Sequence, residues 1–396
     1  MPEYLLRASQ IAAKLESTAG TAATLAAADV NLRPLADGLS WEADPQRVEN
    51  LEVADDLATS ADFVAAVPAT LNFGVTLKGS GALGTVPAVG TFLRACGMKE
   101  QQVKTITIGA LSGGDNAFIQ GETYSATGGK TGIVDVDLSS GGGALRYIPV
   151  TGGDLASGDT VTANSTVGTT SSTSANYAWK YTPRTTGQET ATIQWGVRNT
   201  DGTAAKDLIR RLRGAMGNPQ IEIPALGPAR INFSFRGVED FAGLGDVFAG
   251  VDYETVSIGS VPKLINSTLQ LDGIGVRPTQ ISMDCGNELV LEPDPTVTGG
   301  TAGFLNTRIG ARTPQLTMDP RTLDTFDDYG KLRTGNTMAV RVSFGTSPQN
   351  IDIVAAAGQL RQVGSGERSS FLVADKTIFL TRHPTISDHD YAIYFK

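Results

Sequence analysis

The sequence predicts a mainly β chain: two related β-sandwich or barrel units, each with a short flanking helix, plus a small β-rich module inserted into the first. Three observations carry this. Apolar and polar residues alternate along many short stretches, the period-two signature of half-buried strands. Glycine, present 46 times, punctuates those stretches as turn chemistry requires. One strand–loop–strand–helix pattern also occurs twice, from Val30 to Gly97 and from Ile274 to Gly330, each copy opening on an Arg-Pro pair, Arg33-Pro34 and Arg277-Pro278. The boundaries that follow are 1–109 with 188–262 for the first unit, 110–187 for the insertion and 263–396 for the second unit.

Taken in order, Leu5–Leu15 reads as a helix on propensity alone, within an N-terminal arm that runs from Met1 to Asp29. Leu39 and Trp41 open a strand, and Asp44–Ala66 is an acidic loop too long for a hairpin turn. In Thr70–Leu77, Leu71, Phe73, Val75 and Leu77 share one face. A helix is expected from Thr85, with Pro87 in its first turn, an apolar face of Val89, Phe92, Leu93 and Cys96, and a stop at Gly97. Thr105–Gly109 is a strand, and then composition shifts. Ala110–Gly187 is dense in Gly, Ser and Thr, with strand-like fragments at Gly132–Leu138, Leu145–Val150 and Tyr177–Tyr181, and nothing comparable follows Gly330. The first unit resumes with Thr190–Val197, Lys206–Met216, Ile221–Ile223 and Arg230–Arg236, and Phe241–Pro262 connects it to the second.

In the second copy Ile281, Met283 and Cys285 alternate with polar residues, and Leu289 and Leu291 continue the sheet. Glu292–Arg312 matches the earlier long loop, and Leu316 and Met318 form a short strand. Asp319 caps a helix that Pro320 begins and Gly330 ends, with Leu323 and Phe326 inward. Val340, Val342 and Phe344 correspond to Ile193, Trp195 and Val197. Later strands carry Ile351, Ile353, Phe371, Val373, Ile378 and Leu380, and Tyr391, Ile393 and Phe395 tie the C-terminus into a sheet.

Composition narrows the function. With 396 residues the chain has room for two or three domains. A net charge of −9 and a pI near 4.9 disfavour a protein that grips nucleic acid by neutralising phosphates. The basic run Arg210, Arg211 and Arg213 is expected to pair with acidic loops of the same or a neighbouring subunit. Cys96 and Cys285 sit in apolar patterns and read as buried free thiols. The opening MPEYLLRASQIAAKL lacks the basic start and apolar run of a signal peptide, and no apolar run approaches the roughly 20 residues of a membrane span. The expectation is a soluble protein made in a reducing cytoplasm.

No catalytic, cofactor-binding or metal-binding residue is expected. His383 and His389 lack a third ligand in sequence and read as surface residues flanking Pro384. The Gly128–Gly132 segment GGKTG lacks the upstream glycine and following helix of a phosphate loop. Asp135 and Asp137, on one strand face, could hold Ca²⁺ but read as solvated. Glu292, Asp294, Asp327 and Asp328 could supply the paired carboxylates of a glycosidase, but nothing in the sequence brings them together.

Several stretches resemble a bacteriophage tail tube protein of a long-tailed phage: LLRASQIAAKLESTAGTAATLAAADVNLRPL, LNFGVTLKGSGALGTVPAVGTFLRACGM, ATIQWGVRNTDG, ARINFSFRG, and LDGIGVRPTQISMDCGNELVLEPDP with RIGARTPQLTMDP. The resemblance implies two tail-tube domains per chain, an extended rather than helical Leu5–Leu15, and no enzymatic activity. It further implies trimeric rings with pseudo-sixfold symmetry that stack into a tube. Such a tube meets other tail proteins at its ends and passes genomic DNA without sequence-specific binding or contact with a membrane. The insertion 110–187 departs from that pattern. Alternative readings are a tail-completion or baseplate ring protein of the same fold and, from another class, a carbohydrate-binding or hydrolytic β-sandwich.

Overall fold

Strands account for most of the chain, as the alternation predicts. The computed structural model describes residues 4–26, 29, 32–48, 63–199, 208–225, 227–240, 262, 267–294, 303–323, 325–346, 349–368 and 370–396. The first unit begins with β1 (Tyr4–Leu15), β2 (Ser40–Ala43), β3 (Gln46–Val48), β4 (Phe63–Ala66), β5 (Pro68–Thr76), α1 (Gly90–Ala95) and β6 (Met98–Ile108). The inserted segment supplies β7 (Thr123–Ala126), β8 (Lys130–Val134), β9 (Gly143–Thr151), β10 (Thr160–Ala163), β11 (Thr166–Thr169) and β12 (Ala175–Pro183). The first unit closes with β13 (Ala191–Asn199), β14 (Leu208–Pro224) and β15 (Arg230–Glu239). The second holds β16 (Thr268–Leu271), β17 (Ile274–Gly275), β18 (Gln280–Asp284), β19 (Asn287–Asp294), β20 (Gly303–Arg312), β21 (Gln315–Met318), α2 (Asp328–Thr334), β22 (Thr337–Phe344), β23 (Ile351–Arg368), β24 (Phe371–Leu380) and β25 (Ala392–Phe395).

The two units share one strand order. In the first it is β1–β13–β14–β15–β5–β2, antiparallel throughout. In the second it is β16–β22–β23–β24–β21–β18, again antiparallel. A hairpin leaves each unit at the same place, β3–β4 between β2 and β5, and β19–β20 between β18 and β21. Each unit also has one long bulged strand. The register of β14 shifts between Arg213 and Met216, and that of β23 between Leu360 and Gln362. A bulge bends its strand, and the bend leaves room for two successive neighbours on one side of β14: β13 along its first half and β18 along its last residues.

One apolar core runs through both units. Phe73, Phe92, Phe233 and Phe235 meet with ring centroids 5.3–6.0 Å apart, which fixes α1 against the first sheet. The helix is shorter than the sequence predicts. Val89 is its N-cap and residues 85–89 are turn, with Pro87 accepting from the Gly90 amide. Gly97 stops it with φ +73°. The second helix is displaced from its predicted place. Asp319 does not cap it; its carboxylate accepts from the amides of Thr279 and Gln280 and pairs with Arg368, and Asp327 and Gly335 are the caps.

Leu5–Leu15 is strand, the extended form the resemblance implies and not the helix of its propensity, and Ile11 and Ala13 lie in the core. Sheet pairing with β13 overrides helix propensity there. Glu292–Arg312 is largely the hairpin β19–β20, so Leu289 and Leu291 belong to that separate two-stranded ribbon and not to the main sheet. Most of the predicted loop Asp44–Ala66 and of the connector Phe241–Pro262 lies outside the described residues. Within the insertion, the strands run β6–β9–β8–β7–β10–β11 and return to the end of β6 through bridges at Ile108–Thr170 and Ser112–Val167. This small closed barrel has its own core of Phe118, Tyr124, Leu145, Tyr147 and Val161, with Ile106 and Ile108 borrowed from β6. β12 stands outside it, between β6 and β25.

Candidate assembly edges

Eight strands form a continuous antiparallel run across the chain, β2–β5–β15–β14–β18–β21–β24–β23. The seam between the units is β14–β18, with Ile221 opposite Met283 and Ile223 opposite Ile281. Across that seam the Cys285 amide donates to the Pro219 carbonyl, so residues 281, 283 and 285 turn their backbone groups toward β14. Their side chains are buried in the core, which places an apolar seal beneath the hydrogen bonds.

Both ends of the run are open among the described residues. β2, the counterpart of β18, pairs only with β5. Its register with β5, and the Asp44 amide donating to the Pro68 carbonyl, turn the backbone groups of Trp41 and Ala43 outward. At the other end β23, the counterpart of β14, pairs with β22 over its first half and with β24 over its second. From Val363 to Arg368 the side opposite β24 has no strand partner among the described residues. The chain therefore carries the two halves of a seam that it has already made once internally.

The face of the run opposite the core is polar. In the first unit Asn72, Asn218, Gln220, Asn232 and Ser234 line a shallow cleft in which Arg230 pairs with Asp37 and Glu222. In the second unit Gln280, Thr317, Gln362 and Thr377 line its counterpart. This face is rich in amides and hydroxyls, and Arg230 is neutralised.

The residues that could have carried chemistry are otherwise engaged. His383 and His389 stack edge to face with centroids 5.5 Å apart; His383 Nδ1 accepts from the Ile386 amide, and burial lowers His389 to about 3. His389 is half-buried, with its ring against His383, where the sequence suggested a surface residue. Among the described residues no group of three or more His, Cys, Asp or Glu is placed to hold a metal ion. GGKTG is the tight turn between β7 and β8, where Gly128 and Gly129 take positive φ and Lys130 pairs with Asp159. Asp135 is not solvated: it is 1% exposed, pairs with Lys180 at 2.6 Å and accepts from the Tyr394 hydroxyl. Asp137 accepts from the Gln120 amide. Glu292 pairs with Arg308 on the hairpin, whereas Asp328 is buried against Lys376 beneath α2. Asp327 caps α2, its carboxylate accepting from the Gly330 amide.

Arg210 and Arg211 pair with Glu239 and Asp240 of the adjacent strand, and Arg213 donates to the Gly20 carbonyl. Both thiols are buried, and desolvation pushes Cys285 up to about 12. Sequence reasoning missed the open edges as specific segments, because edge status is a property of pairing. The signal that pointed to them was the repeat, which implies a seam used more than once. No family model matches the chain, and no curated protein matches it.

Proposed function

We propose that the chain is a structural subunit that polymerises through its own sheet edges, and that it forms the tail tube of a long-tailed bacteriophage. The observation that carries this is the pair of complementary open edges, β2 and the end of β23, whose counterparts β18 and β14 join within the chain. An unpaired strand edge is a template for another strand. Two different edges on one subunit make a head-to-tail contact, which closes into a ring when the rotation per subunit divides a full turn. Two equivalent units per chain favour three copies with pseudo-sixfold symmetry.

The dimensions are consistent. Three copies of eight strands give a barrel of 24. With strands about 4.8 Å apart and tilted by about 40°, the backbone diameter is roughly 48 Å, and side chains leave a bore of roughly 40 Å. The polar face lines that bore in this reading. Its hydroxyls, amides and neutralised Arg230 offer DNA phosphates little to bind, which suits a conduit for genome ejection. The subunit is synthesised in the host cytoplasm and works in the virion by shape. Electron microscopy of the purified protein tests the proposal: rings or tubes with threefold-related density are expected, and a monodisperse monomer at high concentration refutes it.

A further inference from the structure

The seam within the chain is more than strand pairing. Hairpin β19–β20 leaves the second unit beside β18 and lies across the first unit, over the strands that β18 joins. Asn287 donates to the carbonyls of Cys96 and Gly217, Thr307 donates to the Arg236 carbonyl, and Gln188 brackets Ile309. Glycines make room for it. A Cβ on Gly20 would lie 2.3 Å from the Leu305 carbonyl oxygen, one on Gly97 would lie 2.5 Å from Ile309 Cδ1, and one on Gly214 would lie 2.8 Å from the Asn306 backbone.

The second unit has the same surface without the cover. Gly335 ends α2 in the left-handed conformation as Gly97 ends α1, yet only the Gln359 side chain approaches it. Gly97 and Met98 are buried, whereas Asn336 and Thr337 are exposed. On β13 the face away from the core is sealed, with Thr192 and Gln194 at 0% and 1% exposure. On β22 the corresponding residues Thr337, Ala339 and Arg341 are open. Part of the first unit's cover is its own segment 16–26, whose Ala23 amide donates to Thr192. The second unit has no such segment, because β16 turns at Asp272-Gly273 directly into β17.

We infer that this bare surface, between the end of α2 and β22, is the seat for hairpin β3–β4 of the next copy of the chain. The proposal rests on the ring reading and specifies how the ring is locked. Geometry forces the partner: β3–β4 leaves the first unit beside β2 as β19–β20 leaves the second beside β18, so a copy whose β2 extends β23 brings its hairpin over this surface. Charge agrees. Segment 44–66 carries Asp44, Glu49, Glu52, Asp55, Asp56 and Asp62 against the single Arg47. At the seat Arg333 is exposed, while Lys331 pairs with Asp272 and Arg341 with Asp352 of the same chain. Opposite charges across an interface favour the correct partner and register.

The test is disulfide trapping in the full chain. Ala66→Cys with Asn336→Cys should give covalent dimers and trimers on mild oxidation, with the bond joining different chains. Arg333→Glu, folded by circular dichroism, should raise the concentration needed for ring assembly several-fold at low salt, and less at high salt. Rings that form without the cross-link and are unaffected by the charge reversal overturn the seat while leaving the ring reading intact. If the unmodified chain forms no rings, the ring reading falls, and the seat falls with it.

Discussion

Ala43→Pro should abolish assembly while leaving the subunit folded. Ala43 lies on β2, is solvent-exposed, and turns its amide away from β5. Proline is tolerated on an edge strand when the missing N–H faces solvent, so the β2–β5 pairing survives. Trp41 and Ala43 together present two outward amides and two outward carbonyls, about four hydrogen bonds per seam at about 1 kcal/mol each. The substitution removes one donor, and its ring crowds the neighbouring carbonyl, which together cost about 2 kcal/mol per seam. Three seams per ring compound this to about 6 kcal/mol, or on the order of 10⁴ in the assembly constant. Sedimentation velocity over a wide concentration range measures it, with thermal melting of the monomer as the control. A variant that forms rings at the wild-type concentration would show that β2 is not an edge used between copies.

Other consequences can be checked on the subunit alone. Lys180→Met strands the Asp135 carboxylate in a buried site and should destabilise the fold by about 3–5 kcal/mol, with much of that recovered by adding Asp135→Leu; urea denaturation reads both. Neither thiol should react with a thiol reagent until the chain unfolds, since burial holds Cys96 well above its ordinary value and Cys285 near 12. For His389 the folded pKa, about 3, lies below its ordinary 6.5, so the unfolded chain binds the extra proton between those values. Stability should therefore fall as pH drops from 6.5 toward 3, and His389→Gln should flatten that part of the profile. The lowered carboxylates of Asp159, Asp319 and Asp388 act in the same direction: their stabilisation is present above the usual carboxylate range and is lost as pH falls through their depressed values.

Particular residues show what the sequence alone made legible. The alternation Leu71, Phe73, Val75 named the buried face of β5, because period two is written into the order of residues. The Arg-Pro pairs marked equivalent places inside the units, ahead of β2 and of β18, and the matching of Val340 and Val342 with Ile193 and Trp195 named equivalent strands, because a repeated fold needs repeated apolar positions.

Contacts between distant residues were not legible. Leu5–Leu15 has helix propensity, but its partner β13 lies almost two hundred residues away, and the ladder of backbone hydrogen bonds decides its form. Asp319 satisfies the local rule for a helix cap, yet the amides of Thr279 and Gln280 claim its carboxylate first. Asp135 resembles a solvated strand residue until Lys180 and Tyr394 close over it from 45 and 259 positions away. Period and turn chemistry are local and can be read along the chain. Which edge is filled, which hairpin is clasped and which surface stays bare depend on long-range pairing, and only the tertiary structure decides them.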